Sequence, residues 1–151
     1  MNPDPPNRRP SLLGPLLQAV YWVDESLQES LRQSGFERIP RTWSMVMINV
    51  ANGVQRPIRI ASNIGISRQA IQKTLSDMSQ MGLVDVVPDP EDRRATIVNY
   101  SPRGKPIQDA ATQILSQLEM TLEQRIGKRC LKQLKDALEA DWGELAVTEL
   151  D

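Results

Sequence analysis

The segment spanning residues 56–102 constrains the fold more than any other part of the chain. It begins RPIRIASNIGIS, in which Ile58, Ile60, Ala61 and Ile64 are placed as the inward side of a short helix opened by Pro57. Gly65 stands where a tight turn requires left-handed backbone, Ile66 closes that turn, and Ser67 is a good N-cap for the helix that follows. This second helix is predicted from Ser67 to about Met81. Two β-rich runs come next, at residues 83–87 and 95–100, separated by Pro88-Asp89-Pro90-Glu91-Asp92-Arg93-Arg94. Helix, turn, helix and hairpin in this order make a helix-turn-helix with a β-wing, a unit that docks on duplex DNA.

The second helix of this unit divides into two faces. Ala70, Ile71, Thr74, Leu75, Met78 and Met81 fall on one side, and Arg68, Gln69, Gln72, Lys73 and Ser76 on the other. The polar side carries no acid before Asp77, whereas an ordinary solvated face mixes in Glu and Asp. Arginine pairs with guanine edges and glutamine with adenine, while lysine and serine suit phosphates. Ser67, Arg68, Gln69, Gln72 and Lys73 are therefore the candidate recognition surface. In the hairpin loop the two prolines stiffen the outgoing limb, and Arg93 and Arg94 at its tip suit the negative potential of a minor groove. Asp92 would repel phosphate, so it is expected to orient one of these guanidiniums through a bidentate bond.

The flanks read as apparatus for pairing two copies. Leu13, Leu16, Leu17, Val20, Val23 (or Asp24 beside it), Leu27 and Leu31 form one apolar stripe of about 20 residues, with Gly14 as N-cap, Pro15 at the first helical position and Gly35 as the stop. Such a helix suits either a shared subunit interface or a long core helix. A helix after Pro40 carries Trp43, Val46, Met47, Val50 and Ala51, read as core packing, and ends near Asn52 and Gly53. From Pro102 onward Ile107, Ala111, Ile114, Leu118, Leu122 and Ile126 make a seam about five turns long, interrupted at Gly127. A last helix is expected to repeat it with Leu131, Leu134, Leu138, Trp142 and Leu145. A winged core does not need two such stripes, so a partner subunit is the economical place to bury them.

Bulk properties narrow the function classes. The net charge of −1 conceals a basic middle, with +3 over residues 54–105, 0 over residues 1–53 and −4 over residues 106–151. The chain has no histidine, one cysteine and no glycine-rich phosphate loop, so the usual nucleophile–base pairs and thiolate zinc sites are absent from it. The expectation is accordingly no enzyme, no cofactor and no metal. Cys130 is read as a small apolar residue rather than a redox switch. No run approaches the about 18 apolar residues of a membrane span, and residues 1–10 lack the apolar core of a signal peptide. Those ten residues, with four prolines, are expected to form a mobile arm, and the chain is expected to be cytoplasmic.

The pieces RPIRIASNIGIS, SRQAIQKTLSDMSQMGLV, DPEDRRA and SPRGK together resemble the winged-helix core of the MarR (multiple antibiotic resistance regulator) family of transcription regulators. The D-x-x-D-R-R wing after the "GLV" strand start is the most specific of them. The resemblance implies a mainly α fold with a small β-wing (α+β), a winged helix-turn-helix whose N- and C-terminal helices form a dimerisation domain. On that pattern residues 37–101 read DNA, and residues 11–36 and 102–151 pair the subunits. Leu13, Leu17, Ile114, Leu118, Leu134, Leu138 and Trp142 are the expected contacts between copies. Arg94, with Arg93 beside it, matches the family's minor-groove arginine, and Asp92 its acidic companion. The implied function is a homodimeric repressor on a pseudo-palindromic double-stranded DNA operator, with a small-molecule effector as a candidate partner. Ser101-Pro102 departs from the family's usual Leu-Thr. The alternative is a winged helix used for dimerisation or protein contact without specific DNA binding.

Overall fold

The computed structural model describes residues 11–148; the proline-rich segment at residues 1–10, expected to be an arm, and residues 149–151 lie outside the described residues. Six helices and one hairpin follow in the order α1 (Leu13–Gln33), α2 (Arg41–Ala51), α3 (Pro57–Ile64), α4 (Arg68–Gln80), β1 (Val84–Pro88), β2 (Thr96–Tyr100), α5 (Lys105–Ile126) and α6 (Lys128–Glu139). β1 and β2 pair antiparallel, with Val84 opposite Tyr100 and Pro88 opposite Thr96. The fold is mainly helical with a two-stranded sheet, as the sequence predicted. The chain divides into two compact units, one up to Leu115 and one from Ser116.

The first unit is built around one apolar cluster. Val46, Met47 and Val50 of α2, Ile60 and Ala61 of α3, and Ile71, Leu75 and Met78 of α4 meet Leu83, Val84 and Val98 of the hairpin. Trp43, Ile64 and Ile66 pack against its margin, in line with their expected inward placement. Three residues expected inward are instead exposed: Ile58 at the outer side of α3, Met81 just past α4, and Ala51 at the last position of α2. Each sits at or near an end of its element, where fewer neighbours remain to cover it.

Helix ends account for other departures. α1 begins at Leu13, not after Gly14; Ser11 Oγ accepts the Leu13 N–H, and Pro15 falls inside the first turn, where its missing N–H has no partner to lose. α1 also changes character along its length. Leu13, Leu17 and Val20 are exposed in the single chain, whereas Leu27 and Leu31 are buried. α5 is bounded at Lys105, not at Pro102; residues 102–104 form a turn ahead of it that Ser101 caps, its Oγ accepting the Gly104 N–H and its carbonyl the Lys105 N–H. That turn requires glycine: a Cβ on Gly104 would lie 1.9 Å from the Leu83 carbonyl oxygen.

The second unit holds the rest of α5 and all of α6. Leu131 is its buried residue, while Leu134 and Leu138 are exposed. α6 ends at Glu139, so Trp142 and Leu145 do not extend its stripe as expected. Ala140 is extended, Asp141 Oδ1 accepts the Gly143 N–H, and the Trp142 indole N–H folds back to donate to the Ala137 carbonyl. Cys130, expected to pack as an apolar residue, is exposed at the start of α6.

Candidate nucleic-acid interface

The recognition surface is set by the turn between α3 and α4. Gly65 adopts φ +70° and ψ 34°, a left-handed conformation open to glycine at no steric cost. Ile66 N–H then bonds the Ala61 carbonyl at 3.0 Å, reversing the chain. Ser67 is the N-cap of α4, its Oγ accepting the Ala70 N–H at 3.1 Å. Substituting such a cap costs a helix about 1 kcal/mol, so Ser67 holds the front of α4 in place whatever else it touches. Ile71, Leu75 and Met78 anchor the inner side, which leaves Arg68, Gln69, Gln72, Lys73 and Ser76 exposed together on the outer side.

These outward groups differ in readiness. Arg68, Gln69 and Gln72 make no side-chain hydrogen bond or ion pair among the described residues. Lys73 Nζ instead lies 2.7 Å from Asp77 Oδ2, one turn along the same helix. This exposed pair is worth only a few tenths of a kcal/mol, so a phosphate competes with it easily.

The wing is held more firmly at its root than at its tip. Asp89 N–H bonds the Ala95 carbonyl at 2.9 Å and closes the neck of the loop. The Asp89 carboxylate is buried, with Oδ1 accepting the Glu91 N–H at 2.9 Å and Oδ2 facing Arg56 Nε at 2.9 Å and Nη2 at 2.7 Å. The Glu91 N–H and the Arg56 guanidinium together hold this carboxyl below its usual range, and Asp89 in turn raises Arg56. The arginine–carboxylate pair expected at the tip is therefore found at the root. Asp92 does not hold a guanidinium; its Oδ1 accepts the backbone N–H of Arg94 at 3.1 Å, and its carbonyl accepts the Ala95 N–H at 2.8 Å. It orients Arg94 through the backbone. Arg93 and Arg94 are exposed and their guanidiniums bond nothing among the described residues.

Sequence reading missed the residues that join these parts. Gln55 O accepts the Val98 N–H at 2.9 Å, and Gln55 Nε2 donates to Asn99 Oδ1 at 2.6 Å, tying the approach to α3 onto β2. Ser79 Oγ donates to the Val84 carbonyl at 3.0 Å, tying the end of α4 to β1. The Tyr100 hydroxyl donates to the Met47 carbonyl, and burial pushes it up to about 12. The Gln55–Asn99 and Tyr100–Met47 contacts span 44 and 53 residues, so no local pattern announces them, whereas the Ser79 bond spans only five.

The arrangement matches known proteins in fold. The MarR family model matches residues 39–95. A transcriptional regulator designated PA4135 shares 24% identity at a TM-score of 0.69, over 86% of this chain and 94% of its own. NadR in complex with 4-hydroxyphenylacetate shares 18% at a TM-score of 0.72, over 91% and 95%. A mutant MarR from E. coli complexed with operator DNA shares 20% at a TM-score of 0.61, over 84% and 91%. No curated protein matches the sequence.

Proposed function

We propose that this chain, a winged-helix member of the MarR family of transcriptional regulators, is a sequence-specific double-stranded DNA-binding repressor that acts as a homodimer in the cytoplasm on a pseudo-palindromic operator. The observation that carries the reading is the pairing of two exposed polar elements on one apolar core. Arg68, Gln69 and Gln72 on α4, and Arg93 and Arg94 on the wing, are basic or amide-bearing and unoccupied by protein partners among the described residues. α4 enters the major groove, where Arg68, Gln69 and Gln72 meet base edges and Ser67 and Lys73 meet phosphates. The wing then lies along the adjacent minor groove with Arg94 inside it. A wing used for protein contact would expose apolar side chains at its tip; residues 89–94 are one proline and five charged residues.

Dimer pairing is assigned to residues 11–36 and 102–151, with residues 37–101 as the reader. Leu13 and Leu17 on α1, Ile114 and Leu118 on α5, Leu134 and Leu138 on α6, and Trp142 after it supply the surface. Five of these seven are exposed in the single chain, and Ile114 and Leu118 are half-exposed, with no residue of α5 fully buried. Two copies place their recognition helices about 34 Å apart, one turn of duplex.

An effector site is supported by a cavity in the first unit. It is a small pocket of about 50 Å³, partly open to solvent, between Leu27 and Leu31 of α1, Met47 of α2, Tyr100 of β2 and Ile107 of α5. Its lining contains no charged residue, and the Gln28 amide there is already bonded to Ser44 Oγ and the Ile39 N–H. A ligand seated there touches both a pairing helix and the DNA-reading core, and shifts affinity by its preference for one arrangement of the two.

Selection of duplexes from a random-sequence pool tests the reading. Enrichment of a two-fold-symmetric motif is expected, and substitution of Gln72 should change the preferred bases. No enrichment, or a loss in the Gln72 variant that is uniform over all sequences, would contradict it.

A further inference from the structure

We propose that Arg56 is a positioning residue for DNA recognition, locking the root of the wing to the start of α3 through Asp89 so that wing and recognition helix meet the duplex as one rigid body. The inference rests on the DNA-reading function proposed above and assigns a role to a residue outside both contact surfaces.

Arg56 stands at the N-cap position of α3 but supplies no side-chain cap. Its guanidinium turns to the wing instead, donating its Nε–H to Asp89 Oδ2 and placing Nη2 2.7 Å from the same oxygen, 33 residues further along the chain. The exposures of the two partners show which one depends on the other. The Asp89 side chain is 6% exposed and the Arg56 side chain 46%. A carboxylate taken that far from water needs a counter-charge, and removing the guanidinium leaves it uncompensated at the neck of the loop. The remaining Asp89 hydrogen bonds, from the Glu91 N–H to its carboxylate, from its own N–H to the Ala95 carbonyl and from the Asp92 N–H to its carbonyl, all lie inside the loop and cannot fix its direction.

The preceding residue completes the lock. Gln55 binds β2 through its carbonyl and its amide, while Arg56 binds the residue that follows β1. Two consecutive residues thus grip β2 and the loop just past β1, and Pro57 begins α3 immediately after them. Ser79 already holds β1 at Val84, its far end, so the Arg56–Asp89 pair adds the hold at the loop end, against rotation of the tip. Tip residues such as Arg94 lie at the end of that lever, where a small rotation at the root becomes a large displacement. Restricting it lowers the ordering cost of binding.

A contact residue and a positioning residue separate in a double-variant cycle. Dissociation constants are measured by fluorescence anisotropy on a duplex selected from a random pool, for the parent, Arg56→Gln, Arg94→Ala and the pair together. Arg56→Gln should weaken binding about tenfold in the parent and less than twofold in the Arg94→Ala background. Equal losses in both backgrounds would overturn the proposal, because a phosphate contact or a long-range charge effect is additive. Amide exchange on the free protein supplies an arm independent of DNA. Glu91 and Ala95 amides should exchange at least tenfold faster in Arg56→Gln, with Ile71 and Leu75 unchanged; unchanged Glu91 and Ala95 would refute the lock. If Arg56→Gln unfolds the core, the swap Arg56→Asp with Asp89→Arg decides: recovery of fold and affinity supports the pair, and recovery of fold without affinity refutes it. An Arg94→Ala variant that binds as well as the parent would instead sink the wing reading, leaving the exchange result to judge the lock.

Discussion

Replacing Arg94 by alanine should uncouple DNA affinity from stability. The Arg94 guanidinium is exposed and bonds nothing among the described residues, while the backbone N–H that Asp92 caps survives the substitution. Loss of fold stability should therefore stay within about 0.5 kcal/mol, a shift of about 1–2 °C in Tm for a chain of this size. On DNA the arithmetic is different. A hydrogen bond to a charged group is worth about 1.5–3 kcal/mol, and the proposed homodimer would lose two, so the deficit is about 3–6 kcal/mol. At about 1.4 kcal/mol per factor of ten, affinity falls by about 10²- to 10⁴-fold. If each guanidinium also displaces a counterion, the slope of log affinity against log salt drops by about 1.8 across the dimer. Anisotropy titrations on a selected duplex between 50 and 200 mM salt, beside thermal melts, read both quantities. An unchanged dissociation constant would refute the minor-groove assignment, and a parallel fall in Tm would show that Arg94 supports the fold instead.

Other consequences concern the scaffold. Gly104→Ala would place a Cβ 1.9 Å from the Leu83 carbonyl oxygen and should cost more than about 3 kcal/mol; an unchanged urea midpoint would contradict the close approach. Tyr100 is raised from 10 to about 12, so the folded state holds this proton more tightly than the unfolded chain. Its stabilisation is full below pH 10 and is lost as pH rises through 12, by about 1–2 kcal/mol after allowing for partial exposure; Tyr100→Phe should remove that alkaline loss in pH-dependent melts. Leu134→Glu with Leu138→Glu should halve the mass measured by light scattering while helix content persists, since both side chains are exposed in the single chain; an intact dimer would exclude α6 from the interface.

Much of the winged-helix core was legible because its rules are local. Gly65, Ser67 and the two faces of α4 follow from turn chemistry and helical period, and the structure places Gly65, Ser67 and all five outward residues as expected. Asp92 was read as a partner for a side chain when a nearer partner existed, since an aspartate in a turn commonly accepts the backbone N–H two residues on. Trp142 and Leu145 continued the α6 stripe in spacing, but the Asp141-Trp142-Gly143 turn ends the pattern physically. Pro102 stands three residues ahead of α5, in the turn that Ser101 caps, so the expected start differs from the observed one by less than one turn. The Arg56–Asp89 pair and the apolar cavity could not have been read. The first depends on where the hairpin neck comes to rest against α3, and the second needs α1, α2, β2 and α5 in place at once.

The central claim is that one dimer places two recognition helices and two wing arginines on a single symmetric site. Hydroxyl-radical footprinting of a selected duplex tests it most directly, because cleavage reports the minor groove. Two protected minor-groove patches related by two-fold symmetry are predicted, one on each flank of the half-sites, both lost in Arg94→Ala while the central protection survives. A single asymmetric footprint, or flanking protection that persists without Arg94, would contradict it.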